Sequence, residues 1–102
     1  MTEKIKNIIT QNLKGYTLEK IILFGSRARG DFDEESDYDV LVLIKEDLER
    51  TLREDICSNI RSQSAKEYID IDILIRSSDY VQNAKNEIGN VIRYATEEGI
   101  EI

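Results

Sequence analysis

Residues 38–44 read Tyr-Asp-Val-Leu-Val-Leu-Ile, and after Asp39 no polar residue interrupts them. A strand wetted on one side alternates apolar and polar residues with period two, so a segment apolar on both faces has to be covered on both. The chain therefore needs a sheet with this segment at its centre and helices on either side.

The flanking segments supply those parts. Ile5, Ile8, Ile9 and Leu13 fall on one helical stripe, with Gly15 as a stop signal, which predicts a helix over 2–13. Lys-Ile-Ile-Leu-Phe-Gly, ending at Gly25, reads as a short buried strand entering a tight turn. Leu48, Leu52, Ile56 and Ile60 recur every four residues, predicting an amphipathic helix over 47–62, with Ser-Gln-Ser-Ala-Lys as the loop after it. Residues 68–75 alternate, with Ile69, Ile71, Ile73 and Ile75 on one face and Tyr68, Asp70, Asp72 and Leu74 on the other. A last helix opens at Ser-Ser-Asp with a capping Ser or Asp and carries Val81, Ala84, Ile88, Val91, Ile92 and Ala95; Gly89 is positioned to kink or break it. Its Val91, Ile92 and Ala95 stripe reads as core, with an oligomer interface as the other reading.

The order helix, strand, helical turn, strand, helix, strand, helix predicts an α/β fold, a small mixed β-sheet packed by helices. With 102 residues, no proline, no repeats and no linker, residues 1–102 are expected to form one domain. The net charge of -7 argues against an extended nucleic-acid surface, although a local basic pocket is compatible with it. Cys57 is the only cysteine and histidine is absent, which removes disulfides, Ser-His-Asp and Cys-His nucleophilic sites and the common zinc sites. No stretch is long and apolar enough for a membrane span or a leader, so a cytoplasmic protein is expected. Chemistry in such a chain falls to carboxylates, cations and a hard metal.

Two places gather those groups. Phe-Gly-Ser-Arg-Ala-Arg-Gly sets a strand end against a helical turn, where backbone N–H groups bind phosphate oxygens; Gly25 permits close approach, Ser26 adds a hydroxyl, and Arg27 or Arg29 offers positive charge. An ordinary capped turn with solvated arginines explains the same residues. Asp37 and Asp39, two apart at a strand start, share a face and repel unless a cation lies between them, and Mg²⁺ prefers such oxygens. Asp31, Asp33, Glu34 and Glu35 are more simply a solvated loop. Asp70 and Asp72 share the polar face of the later strand, where they either approach the first pair or remain an exposed edge.

Taken together, Gly-Ser followed after ten residues by Asp-x-Asp, with a later strand acid, resembles the signature of the DNA polymerase β nucleotidyltransferase superfamily, here Gly25-Ser26 and Asp37-Tyr38-Asp39. The compact length is similar to the minimal nucleotidyltransferases, the antitoxin partners of HEPN-domain toxins. That resemblance implies Gly25 and Ser26 on a triphosphate, with Arg27 and Arg29 as further phosphate contacts. It also implies Asp37, Asp39 and Asp72 as catalytic residues and ligands of two Mg²⁺ ions, with Asp70 as the alternative third acid. The implied reaction transfers AMP from ATP to a tyrosine hydroxyl of a HEPN toxin. The competing reading is a non-catalytic antitoxin that neutralises its toxin by covering it, the acidic surface meeting a basic partner.

Overall fold

The computed structural model describes residues 1–84 and 90–102. Along the chain run α1 (Thr2–Asn12), β1 (Leu18–Phe24), α2 (Ser26–Arg29), β2 (Tyr38–Ile44), α3 (Arg50–Lys66), β3 (Ile71–Ser77), α4 (Ser78–Ala84), α5 (Val91–Glu98) and β4 (Ile100–Glu101). The four strands form one sheet in the order β3-β2-β1-β4, so the uninterrupted apolar segment is an inner strand. β2 runs antiparallel to β1 and parallel to β3, which makes the sheet mixed.

Strand parity divides the interior into two layers. Ile21, Leu23, Val40, Val42, Ile44, Ile71, Ile73 and Ile75 face α1 and α3, meeting Ile5, Ile9, Ile56 and Ile60. The other parity, Ile22, Phe24, Leu41 and Leu43, faces Val81 and Ala84 of α4 and Ile92 and Ala95 of α5. Each fully buried isoleucine or leucine contributes roughly 1.5–3 kcal/mol, and Ile5, Ile9, Leu41, Ile60 and Ile75 are all fully buried. Both faces of β2 are thus covered, as its composition requires.

Several boundaries differ from the sequence reading. α3 starts at Arg50 and runs to Lys66, so Ser-Gln-Ser-Ala-Lys closes the helix instead of forming a loop. Ser64 turns into the core with Ile60, and Ala65 and Lys66 are good helix formers, which keeps the last turn helical. Ser64 C=O then accepts the N–H groups of Glu67 and Ile69 (both 2.9 Å), and Tyr68, at φ 60°, reverses the chain. β3 consequently begins at Ile71 and not at Tyr68, which is almost wholly exposed. The last helical region comprises two helices: Ser77 Oγ accepts the Tyr80 N–H at the start of α4, and Asn90 Oδ1 accepts the Ile92 N–H at the start of α5. Ile88 and Gly89 lie outside the described residues. Ile92 and Ala95 are core, while Val91 is half exposed. The C-terminal β4, pairing Ile100 and Glu101 with Leu23 and Ile22, was not foreseen, because two residues carry no periodicity.

Candidate active site

Strand register brings Asp39 and Asp72 together. Phe24 of β1 lies opposite Asp39 of β2, and Asp39 lies opposite Asp72 of β3, so the three form one row across the sheet. Asp39 and Asp72 have the parity of Leu41 and Leu74, toward the α4/α5 side, but at the strand starts, where those helices leave the face open. A cavity of about 430 Å³ lies there, lined by Gly25, Asp39, Asp72 and Tyr94 with Phe24, Leu74 and Val91 as its apolar wall.

Gly25 is shaped for this neighbour. Its φ of 75° and ψ of -157° are a conformation essentially restricted to glycine. A Cβ at this position would lie 2.2 Å from Asp39 Oδ2, so any side chain would displace the carboxylate. Ser26 then opens α2, whose Ala28 and Arg29 N–H groups both reach the Gly25 carbonyl at 3.1 Å.

The acids repel one another. Burial pushes the Asp39 carboxyl above the ordinary carboxylate range, and the charges of Asp72 and then Asp37 push it further, with Arg29 opposing. Asp37 sits just ahead of β2 and acts on Asp39 from the loop. Asp70 precedes β3, is exposed, and uses its carbonyl to accept the Tyr38 N–H at 2.9 Å. Two residues along a strand is about 6.6 Å, so Asp72 is level with Asp39 and Asp70 is set back from it. Among the described residues no three metal-ligating side chains are already drawn into a cage. Asp39 and Asp72, with Asp37 in the loop ahead of β2, offer only oxygen donors, the chemistry that Mg²⁺ takes alongside waters and substrate phosphates.

The two arginines separate. Arg27 lies between the rings of Phe32 and Tyr38, at 4.3 and 4.4 Å from their centroids, and donates to the Ser36 carbonyl at 3.0 and 3.2 Å. It fastens the acidic loop and does not line the cavity. Arg29 pairs with Asp31 at 3.3 Å and donates to the Tyr94 hydroxyl, tying α2 to α5. The hydrogen bond to Asp31 leads the interactions that raise its pKa. Tyr94, edge-on to Phe24 with centroids 6.3 Å apart, is a cavity residue that the sequence reading took only as part of a helix. The remaining acids, Asp31, Asp33, Glu34 and Glu35, are exposed, with Asp33 accepting from the Glu35 N–H at 2.9 Å.

The model of the family "Polymerase beta, Nucleotidyltransferase" matches residues 3–98. The chain belongs to this nucleotidyltransferase family. Within it, a Methanocaldococcus jannaschii protein named "Putative protein adenylyltransferase" is 43% identical over 81 residues, covering 78% of each chain. A second protein of that name and organism is 46% identical over 43 residues, 42% of this chain and 41% of its own. Among solved structures, a toxin-antitoxin with AMP-PNP superposes with a TM-score of 0.62 at 22% identity, covering 97% of this chain and 69% of that one. A tri-AMPylated Shewanella oneidensis HEPN toxin in complex with its MNT antitoxin gives 0.56 at 18% identity, covering 97% and 66%. At these identities the structural likeness establishes the nucleotidyltransferase fold.

Proposed function

We propose that this nucleotidyltransferase is an antitoxin that transfers AMP from ATP to a tyrosine hydroxyl of a cognate HEPN-type protein. The observation that carries the reading is the row of Asp39 and Asp72, with Asp37 beside it and Gly25 pressed against Asp39. The name of the 43% identical relative supports protein adenylylation, and the subjects of the two structural neighbours support the nucleotide and the partner class.

In this reading the Gly25-Ser26 turn receives the triphosphate, and Tyr94 and Arg29 border the nucleotide. Asp37, Asp39 and Asp72 would hold one or two Mg²⁺ ions, a metal that supplies charge neutralisation on the transferring and leaving phosphates. Asp72, exposed on its strand, takes the proton of the acceptor hydroxyl as its oxygen bonds to the α-phosphorus. The bond from the α-phosphorus to the bridging oxygen breaks, and pyrophosphate carries that electron pair away.

The test incubates the purified chain and its partner with Mg²⁺ and ATP labelled at the α-phosphate. Tyrosine-linked label on the partner is expected, and its loss in the Asp37→Asn, Asp39→Asn double variant. Partner protein that stays unlabelled while the toxin is still neutralised would instead establish the covering mode.

A further inference from the structure

Among the described residues lies a cavity larger than the acidic one. A groove of about 750 Å³ lies between α3 and the β3 edge, and Arg50, Arg53, Arg61 and Arg76 line it. Four of the chain's seven arginines therefore gather in one place on a protein of net charge -7. Glu54 is engaged by Arg50 at 3.0 Å, and among the described residues neither Arg53 nor Arg61 has an ion-pair partner. The local field is positive: burial raises the Cys57 thiol pKa, while Arg61, Arg76 and Arg53 each pull it down.

Position gives the groove a purpose. β3 is the last strand of the sheet, paired only with β2 among the described residues, and the groove runs beside its outer edge. Leu74 lines both this groove and the cavity of Asp39 and Asp72, so the two border the same residue of β3. Arg76 is four residues beyond Asp72, about 13 Å along an extended strand. Arg76 is further steadied by its bond to the Ile75 carbonyl at 2.8 Å and by the Tyr80 ring 5.9 Å away.

Resting on the reading of the chain as a protein-modifying enzyme, we infer that this arginine groove docks an acidic, extended segment of the acceptor protein. The segment lies along the β3 edge, its carboxylates on Arg53, Arg61 and Arg76 and its hydroxyl-bearing residue about four positions away at Asp72. Guanidinium forks suit carboxylates. A nucleic-acid strand fits less well, because no aromatic ring lines the groove for base stacking.

The test uses a fluorescent decapeptide with one tyrosine and three glutamates beginning four residues from it, its glutamine counterpart, and a single-stranded RNA decamer. Binding is read by anisotropy without nucleotide. The acidic peptide is expected to bind at least about tenfold tighter than the glutamine one, weakening with salt. Arg53→Glu with Arg61→Glu should cut that affinity about tenfold, and the milder Arg53→Gln with Arg61→Gln at least about threefold. Lys6→Glu with Lys14→Glu, exposed on α1 and the loop after it, outside the groove lining and changing net charge equally, should leave it within about twofold. Equal effects of the arginine and lysine pairs, or tighter binding of the RNA, would overturn the inference. Because peptide binding and label transfer are separate readouts, peptide docking that survives a failed transfer assay supports the groove and rejects the activity. Transfer that persists with unchanged KM in the arginine variant rejects the groove alone.

Discussion

Replacing Gly25 by alanine perturbs the backbone and the Asp39 carboxylate together, and a second glycine separates the two. Gly25 and Gly30 both hold positive φ, 75° and 88°. Alanine at either position carries a conformational cost of about 1–3 kcal/mol. For a domain of this size each kcal/mol lowers Tm by about 4–8 °C. The added Cβ at Gly30 meets nothing within 4 Å, whereas at Gly25 it would sit 2.2 Å from Asp39 Oδ2 and 3.1 Å from Asp39 Cγ. Both variants should therefore melt lower, measured by circular dichroism. Only Gly25→Ala should also lose nucleotidyl transfer, by at least about 100-fold, since a displacement of about 1 Å in a reacting group costs that much. Equal activity losses in the two folded variants would refute the argument that Gly25 is kept bare for Asp39.

Three further outcomes follow from the same geometry. Asp39 holds its proton more tightly folded than unfolded, because burial and the charges of Asp72 and Asp37 disfavour its carboxylate. Stability is then lost as pH rises from the ordinary carboxylate range through the raised value, so Asp39→Asn should melt above wild type near pH 7 and lose that advantage near pH 3. An advantage independent of pH would contradict it. Ser64 is fully buried and its Oγ has no hydrogen-bond partner among the described residues, so Ser64→Ala should be stabilising by about 0.5–1 kcal/mol in urea unfolding. Tyr94→Phe keeps the ring against Phe24 but removes the acceptor of Arg29, and should raise KM for ATP several-fold with a smaller change in kcat.

How far the sequence alone reaches depends on whether a feature is local. The unbroken Val40–Ile44 run and the alternation of Ile71, Ile73 and Ile75 report burial residue by residue, so the layered sheet could be read directly. The end of α3 could not, because Ser-Gln-Ser is loop-like by composition and is held helical by the burial of Ser64. Asp70 and Asp72 have the same parity, so only the pairing of β3 with β2 places Asp72 and not Asp70 level with Asp39. Arg27 and Arg29 look equivalent in the chain. Their separation arises from Phe32 and Tyr38 on one side and from Tyr94, 65 positions away, on the other.

The site stands or falls on one cation-binding locus shared between β2 and β3. Electron paramagnetic resonance of Mn²⁺ with a non-hydrolysable ATP analogue measures it directly, comparing wild type with Asp39→Asn, Asp72→Asn and Asp70→Asn. Loss of protein-bound Mn²⁺ in the first two variants and retention in the third is the predicted result. Retention in Asp72→Asn with loss in Asp70→Asn, or full retention in Asp39→Asn, would contradict it.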